Sequence, residues 1–348
     1  MMKNKIIAIG IIVVSISIFG SCKKDEMPVL TPPSTGGDTT LNLIAGSESG
    51  ANAANSAFVD FSTNQITLSE RASWDVAFYC GNDFRVTLNY KTAALTVALN
   101  KNDLTTVNAA DTVGLALDLS YSTTDFAMVD SFSDNLAYTK IAINNVLAEN
   151  KVYIIQRGKG GGIAARPWYK IRVLKNGAGG YTLQYARITE TTFRTLDITK
   201  DAEYNFKFIS FDNGIVLSEP KKDDWDIQYS SALYKFPMGS EEIPFFFSDI
   251  VLINYLAGVQ AAEVLNTQFT YENISKANAQ SLTYNSSKWA ISDKWRTSTS
   301  GAMAGVKTDR FYVVKDQIGN YYKLKFISFH NSEGGVRGKP KIAYQLIN

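Results

Sequence analysis

Apolar and polar residues alternate along much of the chain, with β-branched and aromatic side chains at the apolar positions. A period of two with that enrichment is the signal of half-buried strands. It is clear in Lys151-Val152-Tyr153-Ile154-Ile155, in Trp168-Tyr169-Lys170-Ile171-Arg172-Val173-Leu174 and in Tyr181-Thr182-Leu183-Gln184-Tyr185-Ala186-Arg187-Ile188. Lys175-Asn176-Gly177-Ala178-Gly179-Gly180 separates the last two, and its tolerance of positive φ predicts a hairpin turn. Arg310 to Lys315, then Asp316-Gln317-Ile318-Gly319-Asn320, then Tyr321 to Phe329 predict a second hairpin. Val76 to Cys80 predicts a further strand. Long helical periodicity is scarce: Val251 to Leu265 has room for a short helix, but Gly258 and its β-branched neighbours leave that open. The expected fold class is all-β, mainly antiparallel sheets.

The first residues read differently. Met1-Met2-Lys3-Asn4-Lys5 is basic, Ile6 to Phe19 is apolar, and Gly20-Ser21 precede Cys22. This is the layout of a secretory signal, and the apolar run is shorter than the roughly 20 residues that span a bilayer. Phe19-Gly20-Ser21-Cys22 resembles a lipobox, which implies acylation of Cys22 and cleavage before it. Several acyl chains on one residue make a stable anchor. Met27 to Thr40 is dense in Pro, Gly, Ser and Thr and reads as a flexible tether. The acidic pair Asp25-Glu26 resembles signals that send lipoproteins to the outer surface, with a solvated linker as the other reading. The expected location is the outer membrane, lipid-anchored and surface-exposed, with no other membrane contact.

Composition narrows the rest. The 35 basic and 33 acidic residues nearly cancel, so there is no nucleic-acid footprint. With Cys22 lipidated, Cys80 stands alone and no internal disulfide forms; its place in a predicted strand makes it a buried thiol.

The two halves resemble each other. Phe61 to Glu70 precedes Trp74-Asp75-Val76-Ala77-Phe78-Tyr79, and Phe211 to Glu219 precedes Trp225-Asp226-Ile227-Gln228-Tyr229, with an offset of 150 residues from Phe61 to Phe211 and 151 from Trp74 to Trp225. Lys151 to Ile155 matches Arg310 to Val314 at an offset of 159. Three ordered blocks with a slowly drifting offset predict a tandem duplication. The expected organisation is a signal peptide at 1–21, a lipidated cysteine and tether at 22–40, one β repeat at 41–195 and another at 196–348. In each Trp-Asp pair the two side chains face opposite sides of a strand. The indole is expected in the core and the carboxylate at a strand start, meeting a partner there.

The lipobox, the tether, the strand pair ending in Trp-Asp-hydrophobic-x-aromatic, a long variable middle and the closing hairpin Arg310 to Phe326 together resemble the HmuY family of haem-binding lipoproteins. Gly334-Gly335-Val336-Arg337-Gly338-Lys339-Pro340 and the last strand, Lys341 to Ile347, complete the likeness. The resemblance implies an all-β protein, here with two family-like units where typical members carry one. It implies haem held between loops at one end of the sheets and handed to an outer-membrane TonB-dependent receptor. It also implies two axial ligands to the iron, commonly two histidines, with methionine pairs in some relatives.

This chain holds one histidine, His330, so two histidines cannot serve one iron within it. The family's histidine loop falls near Ser298, where the chain reads Thr297-Ser298-Thr299-Ser300-Gly301-Ala302-Met303-Ala304-Gly305. Met303 lies in that loop, and Met238 lies in the loop-like Lys235-Phe236-Pro237-Met238-Gly239-Ser240. Thioether and imidazole both bind haem iron. Met238 and Met303 are therefore the candidate axial ligands, with His330 a weaker candidate. Met27 belongs to the tether, and Met128 sits in an apolar run.

Other chemistry is weak or absent. No cluster of His, Cys and carboxylates suggests a metal site. Gly158-Lys159-Gly160-Gly161-Gly162 lacks the spacing of a phosphate loop and reads as a flexible hairpin tip. The expected function is haem binding, or binding of a related ligand, without catalysis. The alternative is a structural, adhesive or glycan-binding surface protein that has lost the haem site. A glycan platform would require exposure of Trp168, Trp289 and Trp295.

Overall fold

A computed structural model describes residues 32–348 apart from 300 and 302. The signal peptide, Cys22, Met27 and most of the tether lie outside the described residues. The first strands are β1 (Gly36–Thr40), β2 (Asn55–Asp60), β3 (Gln65–Glu70), β4 (Val76–Tyr79), β5 (Val86–Leu88) and β6 (Leu95–Ala98). After a long excursion built of short 3-10 turns come β7 (Tyr153–Gln156), β8 (Tyr169–Lys175), β9 (Tyr181–Arg187) and β10 (Arg194–Ile198). Next are β11 (Phe206–Ser210), β12 (Gly214–Val216), β13 (Ile227–Met238) and β14 (Glu241–Ile253). The chain ends with β15 (Gln260–Leu265), a one-turn helix α1 (Lys276–Gln280), β16 (Arg310–Lys315), β17 (Tyr321–Ser328) and β18 (Lys341–Leu346). The protein is all-β with antiparallel sheets.

The predicted alternation governs the core. Tyr169, Ile171 and Val173 on β8, and Tyr181, Leu183 and Tyr185 on β9, are every second residue and all face one hydrophobic core. That core joins the sheet β10-β9-β8-β7-β6 to the sheet β12-β11-β4-β5. A second core joins β1-β18-β17-β16-β15 to β14-β13-β2-β3, with Val59, Tyr229, Val251, Tyr312, Leu324 and Tyr344 among its members.

The eighteen strands of the described residues follow a rule. Raising each strand number by nine, and returning to β1 after β18, converts one sheet of each size into the other. One sandwich is continuous, β4 to β12. It interrupts the other, which is made of β13 to β18 together with β1 to β3. The sheets therefore do not divide at residue 195/196, which falls inside β10. Hairpin β2–β3 pairs with β13 of the later half, and hairpin β11–β12 pairs with β4 of the earlier half.

The Trp-Asp pairs fasten this exchange. Asp75 accepts a hydrogen bond from the Phe211 N–H at 2.8 Å, and Asp226 accepts one from the Phe61 N–H at 2.8 Å. Trp74 packs edge-on against Phe208 and Trp225 edge-on against Phe58. Each half thus clasps the hairpin of the other, and both tryptophans are buried.

Several local expectations change. Residues 36–40, read as tether, form β1 on the edge of β18, with Thr39 opposite Ile342. The loop-like stretch 235–240 is strand as far as Met238, and only Gly239 and Ser240 turn the hairpin β13–β14. No helix forms within 251–265, where β14 runs through a 3-10 turn at Tyr255–Ala257 into β15. The Gly160–Gly162 segment is a packed 3-10 turn rather than a free tip, because the buried Arg71 guanidinium donates to the Gly161 carbonyl at 2.9 Å and to the Lys91 carbonyl at 2.8 Å. Cys80 is free and half-buried, and burial raises its pKa.

Candidate functional site

The loop before β16 and the loop after β17 meet at one end of their sheet. The first, Thr297 to Val306, is closed at its base by the bridge between Arg296 and Val306 and by the Thr297 hydroxyl, which donates to the Gly305 carbonyl at 3.1 Å. Met303 stands on it 80% exposed. The second loop starts at His330, the N-cap of a 3-10 turn at Asn331–Glu333.

Two side chains of the second loop hold the first. Ser332 Oγ donates to the Ala304 carbonyl, and the Glu333 carboxylate accepts from the Val306 N–H. Gly305 lets the loops approach closely, since a Cβ there would come within 2.8 Å of the Glu333 carboxylate and push that side chain aside. Arg337 ties the pair to β14: it donates to the Thr299 carbonyl at 3.1 Å, to Ser248 Oγ at 2.6 Å and to Asp249 Oδ2 at 3.1 Å.

This wiring orients the His330 ring. As the N-cap side chain, its Nδ1 accepts from the Ser332 backbone N–H at 3.3 Å and lies 2.9 Å from Ser332 Oγ, which in turn donates to the Ala304 carbonyl.

The structure thus brings Met303 and His330 onto bonded, adjoining loops. Met238 is elsewhere, half-exposed opposite Glu241 at the tip of the β13–β14 hairpin. That is seven residues along β14 from Ser248, or roughly 23 Å at the rise of a strand. The hairpin below it is aromatic: Tyr234 stacks on Trp289 at 4.0 Å, and Phe236, Phe245 and Phe247 contact one another. Trp289 and Trp295 are buried, which removes two of the three tryptophans that a glycan platform would expose; Trp168 is half-buried.

Concavities lie away from these loops, one of about 440 Å³ beside Lys222 and Gln317 among them. An open groove of about 740 Å³ runs between residues 126–140 and the hairpin, lined by Phe126, Phe132, Tyr138 and Lys235. A cavity of about 90 Å³ lies beneath it, between the two four-stranded sheets. The groove and the opening beside Lys222 are within the several-hundred-Å³ range of sites for larger ligands, and the 90 Å³ cavity is not.

Comparison with known proteins adds one decisive finding: a family model described as HmuY protein matches residues 52–344. The chain belongs to the HmuY family. The single match runs through both sandwiches and contains the Met303 and His330 loops. No curated protein and no solved structure matches this HmuY protein.

Sequence reasoning missed Ser332 and Glu333. A usable signal was present, because a polar N-cap followed three residues later by Glu, as in His330-Asn331-Ser332-Glu333, marks a capped turn.

Proposed function

We propose that this HmuY protein is a haem-binding surface lipoprotein, built as two related nine-strand units, and that Met303 and His330 are the ligands of the iron. One observation carries the ligand choice: the hydrogen-bonded link from His330 Nδ1 through Ser332 to the Ala304 carbonyl places imidazole and thioether on mutually braced loops. The residues present fit the group. A histidine and a methionine together are a recognised axial pair, and the pair sets the potential of the iron. Ser332 orients the imidazole, Glu333 ties the two loops together, and Arg337, paired with Asp249, anchors Thr299 to β14. Met303 is 80% exposed, which leaves its thioether room to move.

The role carries no reaction: the protein holds the group and releases it to an outer-membrane receptor. The groove beside Tyr138 is a second surface of sufficient size. It presents one ligand type where the loops present two, so it ranks behind them. Titration of the protein with ferric and ferrous haem, followed at the Soret band, tests the proposal. Saturable one-to-one binding in either redox state is expected, and a merely additive spectrum in both refutes it.

A further inference from the structure

The cavity between the four-stranded sheets has chemistry that haem binding does not use. Its walls are apolar at Leu88, Val129, Phe208 and Leu252. Two buried donors among its lining residues have no hydrogen-bond partner, Trp74 Nε1 and Gln228 Nε2, whereas the Trp225 indole N–H meets the Glu219 carboxylate. Gln228 is 1% exposed and its Oε1 already accepts from the Tyr90 hydroxyl at 3.1 Å, so the amide N–H is its free end. A buried donor left without an acceptor loses its hydration with nothing in exchange. An acceptor belongs there.

The acceptors nearby are engaged. The Glu219 carboxylate takes Asn205 Nδ2 at 3.0 Å and the Trp225 indole, and Asn254 Oδ1 also accepts from Asn205 Nδ2 at 3.0 Å. Both Asp130 oxygens take backbone N–H groups, from Leu88 at 2.7 Å and Lys140 at 2.8 Å. Water would bring hydrogens needing acceptors of their own, whereas a carboxylate brings lone pairs alone. Burial pushes the Glu219 carboxyl up to about 7, which weakens its opposition to an anion, and Lys288, lowered by burial to about 8, lines the wall. The volume sets the size: about 90 Å³ is smaller than the roughly 150 Å³ that holds benzene.

We propose that this cavity binds a short aliphatic carboxylate of acetate size through the Trp74 indole and the Gln228 amide. Neither Met303 nor His330 takes part, so the site stands apart from the haem reading.

The test titrates the protein with acetate, propionate, butyrate, hexanoate and benzoate at fixed ionic strength, by calorimetry and tryptophan fluorescence. Saturable one-to-one binding of acetate is expected, with propionate weaker and butyrate, hexanoate and benzoate at least tenfold weaker than acetate. Gln228→Leu and Trp74→Phe should each weaken acetate at least tenfold, and Met303→Ala should not change it. No saturable binding of any acid overturns the proposal, as does equal binding of all five. Affinity unchanged in both cavity variants overturns it too, and the size series on the unaltered protein decides the matter if a variant does not fold.

Discussion

The two Trp-Asp aspartates occupy equivalent strand positions but should respond very differently to the same substitution. Asp75 is fully buried and accepts from Arg157 Nε at 2.8 Å and Nη2 at 2.9 Å, besides the Phe211 N–H, with Arg166 Nη1 at 3.3 Å. The Arg157 side chain is itself 3% exposed. Asp75→Asn removes the charge that compensates it and leaves only Asp212, at 2.6 Å and 45% exposed. Breaking one side of a buried pair costs about 3–5 kcal/mol, and the surviving Asp212 contact favours the lower end, about 3. Asp226 makes the corresponding bond to Phe61, but its Oδ1 has no partner and no cation faces it. Burial raises its pKa well above the ordinary carboxylate value. Asp226→Asn keeps the acceptor for Phe61 and should cost about 0–1 kcal/mol at pH 7. The pH dependence has a definite sign. A raised folded-state pKa means that stability is lost as pH rises above the unfolded value of 3.8. That loss vanishes in Asp226→Asn, so its stability relative to the unaltered protein should improve from pH 4 to pH 7. Urea unfolding followed by fluorescence and circular dichroism measures both variants. Losses equal to within about 1 kcal/mol at pH 7 would refute the assignment of the buried charge to Asp75 alone.

Two further outcomes follow from the same contacts. Arg71→Lys should destabilise nearly as much as Arg71→Ala, because one ammonium cannot reach the Ala53, Lys91 and Gly161 carbonyls that the guanidinium serves; hydrogen exchange at 160–162 and urea midpoints check this, and rescue by lysine would contradict it. Glu48 accepts backbone N–H groups from Ala45, Gly46 and Ala54, which hold its carboxyl down at about 2. Its contribution to loop 45–54 is complete above pH 4.5 and fades as pH falls toward 2; protection factors at those amides, corrected for intrinsic exchange, should drop in that window and be low throughout in Glu48→Gln.

Strand positions were legible wherever one face is buried, as at Tyr169 to Lys175, where period-two alternation follows directly from burial. The structural role of Trp74 and Asp75 was legible for the same reason. Partner choice was not. Period two marks a strand without saying what lies beside it, so nothing in Phe58 or Val59 announced pairing with β13 across the chain. Gly36 to Thr40 looked like linker because an edge strand needs no apolar face of its own. Pro237 and Pro244 masked the outer part of the β13–β14 hairpin, although proline is tolerated at strand edges. Of the site, Met303 and His330 were visible singly. Their connection was not, since it passes through a serine hydroxyl and a backbone carbonyl 28 residues apart.

The central claim is most directly tested by identifying the iron ligands. The coordination state of ferric and ferrous haem bound to the unaltered protein, Met303→Ala, His330→Ala and Met238→Ala would be read from absorption and electron paramagnetic resonance spectra. A six-coordinate complex that turns five-coordinate in Met303→Ala and in His330→Ala, and stays intact in Met238→Ala, is the predicted result. A six-coordinate spectrum unchanged by the Met303 and His330 substitutions would contradict it, and its loss in Met238→Ala would move the site to the aromatic hairpin.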